Sequence, residues 1–147
     1  MIYCTALNIT ALTADVVPCE TDFVIVSQGR YERRVALAIG ECKAKGGEIT
    51  EEDVQNLNRV ADAFERTRIE PFIIFAKTAS FAPEEIARCQ AAQGPNRRRV
   101  VLLSDRELEP YFVYERTKRE FEIRSSAVSF EDLAQATEAI YFNPMPK

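Results

Sequence analysis

The stretch VALAIGECKAKGGEITEEDV, residues 35–54, runs from an apolar segment through a charged loop with two glycines into a helix signal. Its first seven residues, 35–41, are mostly apolar and end in a glutamate, which predicts a buried strand that emerges into solvent. Thr50 is followed by three acidic residues, a pattern typical of a helix N-terminus, where a side-chain oxygen caps free N–H groups and negative charge meets the helix dipole. The stretch therefore predicts a strand, a loop and a helix over residues 50–66.

Further strands precede this stretch, and strands alternating with helices follow it. Strands alternating with helices are typical of an α/β fold, here a mixed sheet that begins with a hairpin, continues with parallel pairs and has helices on both faces. The pattern predicts strands at 2–9, 14–20, 22–27, 72–77 and 98–104, helices at 82–94 and 129–142, and a short helix or turn at 105–112.

Composition limits the chemistry available to this chain. It has 147 residues, of which 46% are apolar, enough for one domain with a real core. It has no histidine, which excludes Ser-His and Cys-His nucleophilic catalysis and histidine metal ligands. The four cysteines form no C-x-x-C pair, no apolar run is long enough to span a membrane, and the N-terminus lacks a signal-peptide pattern. We therefore expect a reducing, cytoplasmic environment without structural disulfides.

Charge is distributed unevenly along the chain. The net charge is −4, but residues 30–45 contain five basic and two acidic residues. A local basic patch can contact phosphates even when the whole chain is acidic. These residues are also ordinary exposed turn residues in many proteins, and that alternative stays open. The nucleic-acid contacts predicted from this patch are Arg30, Arg33, Arg34 and Lys45.

The predicted hairpin brings two carboxylates together. If its turn centres on residues 31 and 32, paired residue numbers sum to about 63, so that Asp22 lies opposite Glu41. Residues opposed in this way share a face of the sheet, and like charges at such positions repel. A bound divalent cation would reverse the sign of that interaction, and without one the removal of both charges is expected to raise stability.

Two residues next to Glu41 extend this group. Lys43 lies two positions further along the strand and therefore points to the same side. Cys42 is expected to point to the other side, toward the core, while its backbone carbonyl stays free as an oxygen ligand. Mg²⁺ prefers oxygen ligands and is commonly held by one or two carboxylates with waters and substrate phosphate, and a neighbouring lysine can orient the attacking water. Charged pairs also end many strands with no function beyond solvation.

Asp22, then Glu41-Cys42-Lys43 at the end of the next strand, then a helix, resembles the PD-(D/E)xK superfamily of restriction-endonuclease-like nucleases. The resemblance implies that Asp22 and Glu41 bind metal, with the Cys42 carbonyl, and that Lys43 serves the water. It also implies a catalytic role for Gln55 on the helix and a supporting role behind the metal for Glu20 in the ETD segment, 20–22. Resemblance covers roughly residues 14–112 as the core of a single domain, 1–147, with a helical extension over about 113–147.

The sequence departs from the family pattern at two places. Thr21 occupies the position of the family's proline, and the usual N-terminal helix has no clear counterpart before residue 14. Either the chain is one domain of a longer multidomain protein or that helix is supplied elsewhere, and a homodimer is a further expectation.

The function implied is a nuclease that depends on Mg²⁺ or Mn²⁺ and hydrolyses DNA phosphodiester bonds. Two alternatives remain open. One is a non-catalytic restriction-endonuclease-like domain that binds nucleic acid or protein, and the other is an unrelated α/β domain with surface charges.

Overall fold

The computed structural model describes residues 1–10, 18–28, 34–93, 99–108, 111–122 and 129–143. Five strands form one sheet in sequence order, with β1–β2 and β2–β3 antiparallel and β3–β4 and β4–β5 parallel. The predicted α/β class, with a mixed sheet that passes from a hairpin to parallel pairs, is confirmed. In chain order the elements are β1 (Ile2–Ile9), β2 (Cys19–Ser27), β3 (Val35–Lys43), α1 (Glu51–Asp62), β4 (Ile69–Lys77), α2 (Pro83–Ala91), β5 (Arg99–Leu103), α3 (Asp105–Leu108), α4 (Tyr111–Glu120) and α5 (Phe130–Thr137), which continues as a π-helical turn (Glu138–Phe142).

The hairpin register follows the sequence prediction. Ser27 pairs with Ala36 and Ile25 with Ala38, so paired numbers sum to 63. The turn itself, residues 29–33, lies outside the described residues. Because the register is fixed, the side chains near the start of β2 and the end of β3 meet at one end of the hairpin, far from its turn.

Alternate residues of the central strands belong to two apolar clusters. One contains Ile39 and Phe75 with the apolar face of α1, and the other contains Ala38 and Ile74 with Ala134 of α5. Burial of this apolar surface, at about 25 cal/mol per Å², is the main stabilising term. The apolar side of α1 thus packs against the sheet.

Element boundaries differ from the sequence prediction at two places. Helix α1 ends at Asp62 rather than at residue 66, and β4 begins at Ile69, so Pro71 lies inside the strand. Two predicted strands, 14–20 and 22–27, correspond to the single strand β2, and residues 11–17 lie outside the described part of the chain.

The C-terminal residues contribute to the core. Ala134, Ile140 and Phe142 are buried, and the Thr137 hydroxyl accepts a hydrogen bond from the Leu102 N–H at 3.0 Å. Helix α5 and the turn that follows it therefore form part of the packed core. Within the described residues, no helix is both long and apolar enough to cross a membrane.

Candidate active site

The candidate site lies where the β2–β3 ladder ends. The last paired residues are Phe23 and Gly40. Beyond this pair, the β3 backbone forms hydrogen bonds with side chains of β2 and no longer with the β2 backbone. The buried Thr21 hydroxyl donates to the Gly40 carbonyl at 2.8 Å and accepts from the Gly40 N–H at 3.2 Å. The Asp22 carboxylate accepts from the Cys42 N–H at 2.6 Å. The two backbones separate here, because side chains stand between them.

Cys42 presents its backbone to this opening. The N–H and C=O of one strand residue point to the same neighbouring strand, so the Cys42 carbonyl faces β2 together with its N–H. Its side chain is exposed, and the prediction that it points into the core is wrong. On that side of the sheet, the apolar cluster includes Ala38 of β3 but does not extend to Cys42. All four cysteines are free, with Cys19 and Cys89 buried.

Three carboxylates line one cavity at this opening. It has a volume of about 250 Å³ and is lined by Ala6, Leu7 and Asn8 of β1, Glu20, Thr21 and Asp22 of β2, and Glu41 of β3. Glu20, Asp22 and Glu41 thus share a cavity, as the hairpin register predicts for Asp22 and Glu41.

The edge strand β1 is distorted at the same level. Its pairing with β2 passes from Thr5–Phe23 to Leu7–Thr21, and Ala6 between them has a φ of 52°. A left-handed alanine is uncommon and costs about 1–2 kcal/mol. Such strain often occurs at functional sites.

Lys43 joins Glu41 to a residue of the following helix. Its ammonium lies 2.7 Å from Glu41 Oε1 and 3.1 Å from Asp53 Oδ1. Partial burial lowers the pKa of Lys43, but the hydrogen bonds to the two carboxylates outweigh it and raise the pKa above its ordinary value. Burial raises the pKa of Glu41, and the hydrogen bond from Lys43 opposes that shift only in part. The lysine is therefore a cation in neutral solution, held between two carboxylates.

Asp53 is the site residue that sequence reasoning missed. The sequence indicates only an acid near a helix N-terminus, and Asp53 does form a capping box with Thr50. Burial raises its pKa, but hydrogen bonds from the Thr50 backbone and side chain and from Lys43 outweigh burial and lower it. The capping box was a usable signal, because it places residue 53 at the start of the helix that follows the E-x-K segment.

A buried ion pair lies beside this group. Lys77 is paired with Lys43 in the β3–β4 ladder, and its ammonium lies 2.9 Å from each carboxylate oxygen of Glu85. Glu85 also accepts from the Ile49 N–H at 2.8 Å. Ile49 precedes Thr50, so Glu85 fixes the chain just before α1 begins.

Other predicted residues lie apart from the cavity lining. The Gln55 amide donates to Glu51 at 3.1 Å along the exposed side of α1. Lys45 is exposed just after β3. The catalytic role of Gln55 and the phosphate contact of Lys45 stay predictions.

Arg34, the described arginine of the predicted basic patch, lies away from the cavity. Arg34 precedes β3, and at about 3.3 Å per residue it lies roughly 20 Å from Glu41. Its guanidinium is 3.5 Å from Glu70. The phosphate contacts of Arg30, Arg33 and Arg34 stay predictions. Arg30 and Arg33 lie outside the described residues.

The donor chemistry of the cavity suits a hard divalent cation. Three of its lining residues carry carboxylates, and carboxylate oxygens are ligands that Mg²⁺ prefers. Across the parts of the chain described above, no three or more His, Cys, Asp or Glu side chains are already arranged to hold a metal ion. Two carboxylates with a backbone carbonyl, waters and substrate remain a sufficient set for Mg²⁺.

Comparisons with known proteins add little to this geometry. No family model matches the chain, and no curated protein matches it. A solved structure with some similarity is the MspJI restriction endonuclease in complex with a 27-mer oligonucleotide, at a TM-score of 0.37 and 14% sequence identity. The similarity covers 96% of this chain and 28% of that chain. A TM-score of this size identifies neither a shared fold nor a shared activity.

Proposed function

We propose that this chain is a divalent-metal-dependent nuclease of the PD-(D/E)xK type, with helices on both faces of its sheet, and that it hydrolyses DNA phosphodiester bonds. The observation that supports the proposal is the cavity shared by Glu20, Asp22 and Glu41, with the Lys43 ammonium hydrogen-bonded to Glu41.

Each residue has a role in this proposal. The site residues would hold Mg²⁺ or Mn²⁺, which would supply polarisation of the phosphoryl oxygen and a water of lowered pKa. Asp22 and Glu41, which line the cavity, would hold the cation. The Cys42 carbonyl, on a residue next to Glu41 but outside the cavity lining, is the third proposed ligand. Glu20 adds negative charge to the cavity that attracts the cation. Lys43 orients the attacking water and offsets the negative charge that develops on the phosphate.

A second candidate function is a non-catalytic module that binds nucleic acid or protein. It is favoured by the hydrogen bonds that the site carboxylates already accept within the chain. Asp22 accepts from the Cys42 N–H, and Glu41 accepts from Lys43. Carboxylates with these partners have a structural use in the absence of any ion.

Cleavage distinguishes the two functions. We expect the protein to cut plasmid and linear DNA in Mg²⁺ or Mn²⁺ and to cut neither in EDTA, because the cation supplies the activated water. Glu41→Gln should lower the cleavage rate at least about 100-fold, measured by gel assays of initial rate. Glu52→Gln, an exposed carboxylate on α1, is the matched control and should cut at the wild-type rate. Equal loss in both variants would mean that only overall charge matters.

Metal binding without DNA gives a second expected result. At a concentration 100 times the dissociation constant, binding contributes about 2.7 kcal/mol, which for a chain of this length raises Tm by roughly 5–10 °C. The double variant Asp22→Asn/Glu41→Gln should lose this shift, followed by calorimetry with and without Mn²⁺.

In EDTA the same double variant is expected to be no more stable than wild type. The repulsion argued from sequence alone leaves out the two donors that the structure supplies, the Cys42 N–H and the Lys43 ammonium. An unchanged Mn²⁺ shift in the double variant would exclude Asp22 and Glu41 as ligands.

A further inference from the structure

We propose that Asp53 is a positioning residue that holds the Lys43 ammonium at the site independently of Glu41, which leaves Glu41 available to a divalent cation. The role given to Glu41 here rests on the proposed function. The contact between Asp53 and Lys43 does not depend on it.

Lys43 is hydrogen-bonded to two carboxylates, Glu41 and Asp53, that lie in different places. Glu41 lines the cavity, whereas Asp53 does not. The side chains of Lys43, Glu41 and Asp53 are only 23%, 20% and 17% exposed. A partly buried ammonium that loses a carboxylate partner tends to turn toward water, because an unpaired charge is poorly solvated in the buried position. If Glu41 were the only partner, engagement of Glu41 by a cation would release the lysine.

Asp53 is held in place by separate contacts. Its Oδ2 accepts from the Thr50 N–H at 2.7 Å and from the Thr50 hydroxyl at 2.8 Å, which leaves Oδ1 for Lys43. The preceding residue, Ile49, is fixed by its N–H bond to the buried Glu85. The carboxylate is therefore oriented by the start of α1, so it does not need Lys43 to stay in position.

Amine acylation measures how firmly the Lys43 ammonium is held, and it needs no enzyme activity. The full chain is pulsed with an amine-selective acylating reagent, and modification of Lys43 is followed by peptide mass spectrometry, with the exposed Lys45 as internal reference. Glu41→Gln removes the charge that a cation would otherwise engage. We expect Lys43 in Glu41→Gln to react less than about threefold faster than in wild type, because Asp53 still holds it. In Glu41→Gln/Asp53→Asn the rate should rise about tenfold, the effect of losing a charged hydrogen bond.

Three controls separate positioning from folding. Asp132→Asn changes the same position of the capping box of α5, where Asp132 pairs with Ser129, and should leave Lys43 acylation at the wild-type rate. Asp53→Glu keeps the charge and should restore slow acylation of Lys43 when combined with Glu41→Gln. Lys45 should react at one rate in every variant that stays folded. If Lys43 reacts as fast in Glu41→Gln as in the double variant, Asp53 does not hold the lysine and the proposal is overturned.

Added Mg²⁺ tests the proposed function separately. In Asp53→Asn, Mg²⁺ should speed Lys43 acylation, because the cation would engage Glu41, the remaining charged partner of Lys43. In wild type, Mg²⁺ should change the rate little, because Asp53 still holds the lysine. If the metal-free rates are as expected but Mg²⁺ changes nothing in Asp53→Asn, the metal site fails and positioning by Asp53 is supported.

Discussion

Glu85→Gln is expected to lower the free energy of unfolding by about 3–5 kcal/mol, as measured in urea. The Glu85 side chain is 3% exposed and that of Lys77 is 7% exposed. The two carboxylate oxygens accept from Lys77, from the Ile49 N–H and from the Ala82 N–H at 2.7 Å. A glutamine would turn an amide NH₂ toward one of these donors and leave the Lys77 ammonium buried without a counter-charge. Domains of this kind are stable by about 5–15 kcal/mol in total, so the loss is a large fraction.

Glu84→Gln is the matched control, since residue 84 lies in the same helical turn but is exposed. It should lose less than about 1 kcal/mol, the effect of one charge near a helix N-terminus. Equal losses in the two variants would show that the Glu85–Lys77 pair contributes no more than an exposed charge.

The contribution of Glu85 to the free energy of unfolding should decrease at low pH. Burial raises its pKa, but the hydrogen bonds from Ala82 and Ile49 and the Lys77 ammonium outweigh burial and lower the pKa below the ordinary value of 4.5. A carboxyl group with a lowered pKa in the folded state stabilises the protein above its unfolded pKa and loses that contribution as pH falls through its folded pKa. The difference between wild type and Glu85→Gln should therefore be complete at neutral pH and shrink below about pH 4.5.

Local patterns predicted the parts of the fold that depend on local chemistry. The register of β2 and β3 followed from the predicted turn at residues 31 and 32, since the position of a hairpin's turn decides which residues pair. The Thr50 cap predicted where α1 begins. The end of α1 and the start of β4 differ from the prediction, because a proline at position 71 suggests a break in regular structure, whereas β4 contains it.

Contacts between distant segments were beyond such patterns. Residues 43 and 53 are ten positions apart, and only the packing of α1 on the sheet brings their side chains together. The pairing of Lys77 with Glu85, and the burial of α5, likewise depend on how helices dock. Thr21 was noted only as a substitute for a proline, since no local rule indicates that its hydroxyl would replace a backbone partner of Gly40.

Lys43→Ala is expected to reduce the single-turnover rate of DNA cleavage about 100- to 1,000-fold, with little change in DNA affinity. Interactions that strengthen only in the transition state affect the rate and not ground-state binding, and the loss of one such charged donor costs about that factor. Cleavage is followed at saturating protein in Mg²⁺, and affinity is measured by fluorescence anisotropy in Ca²⁺ or EDTA across a range of salt.

Lys118→Ala makes the same substitution on α4, where Lys118 pairs with Glu115, and should cut at the wild-type rate. Lys45→Ala should weaken binding for every DNA sequence alike and reduce the salt slope by about one. A protein that binds DNA but cuts none in Mg²⁺ or Mn²⁺, and whose Lys43→Ala variant behaves identically, would exclude the nuclease. The non-catalytic binding module would then be the function that fits the data. In that case the ion pairs of Lys43 with Glu41 and Asp53 would serve only to join β3 to α1.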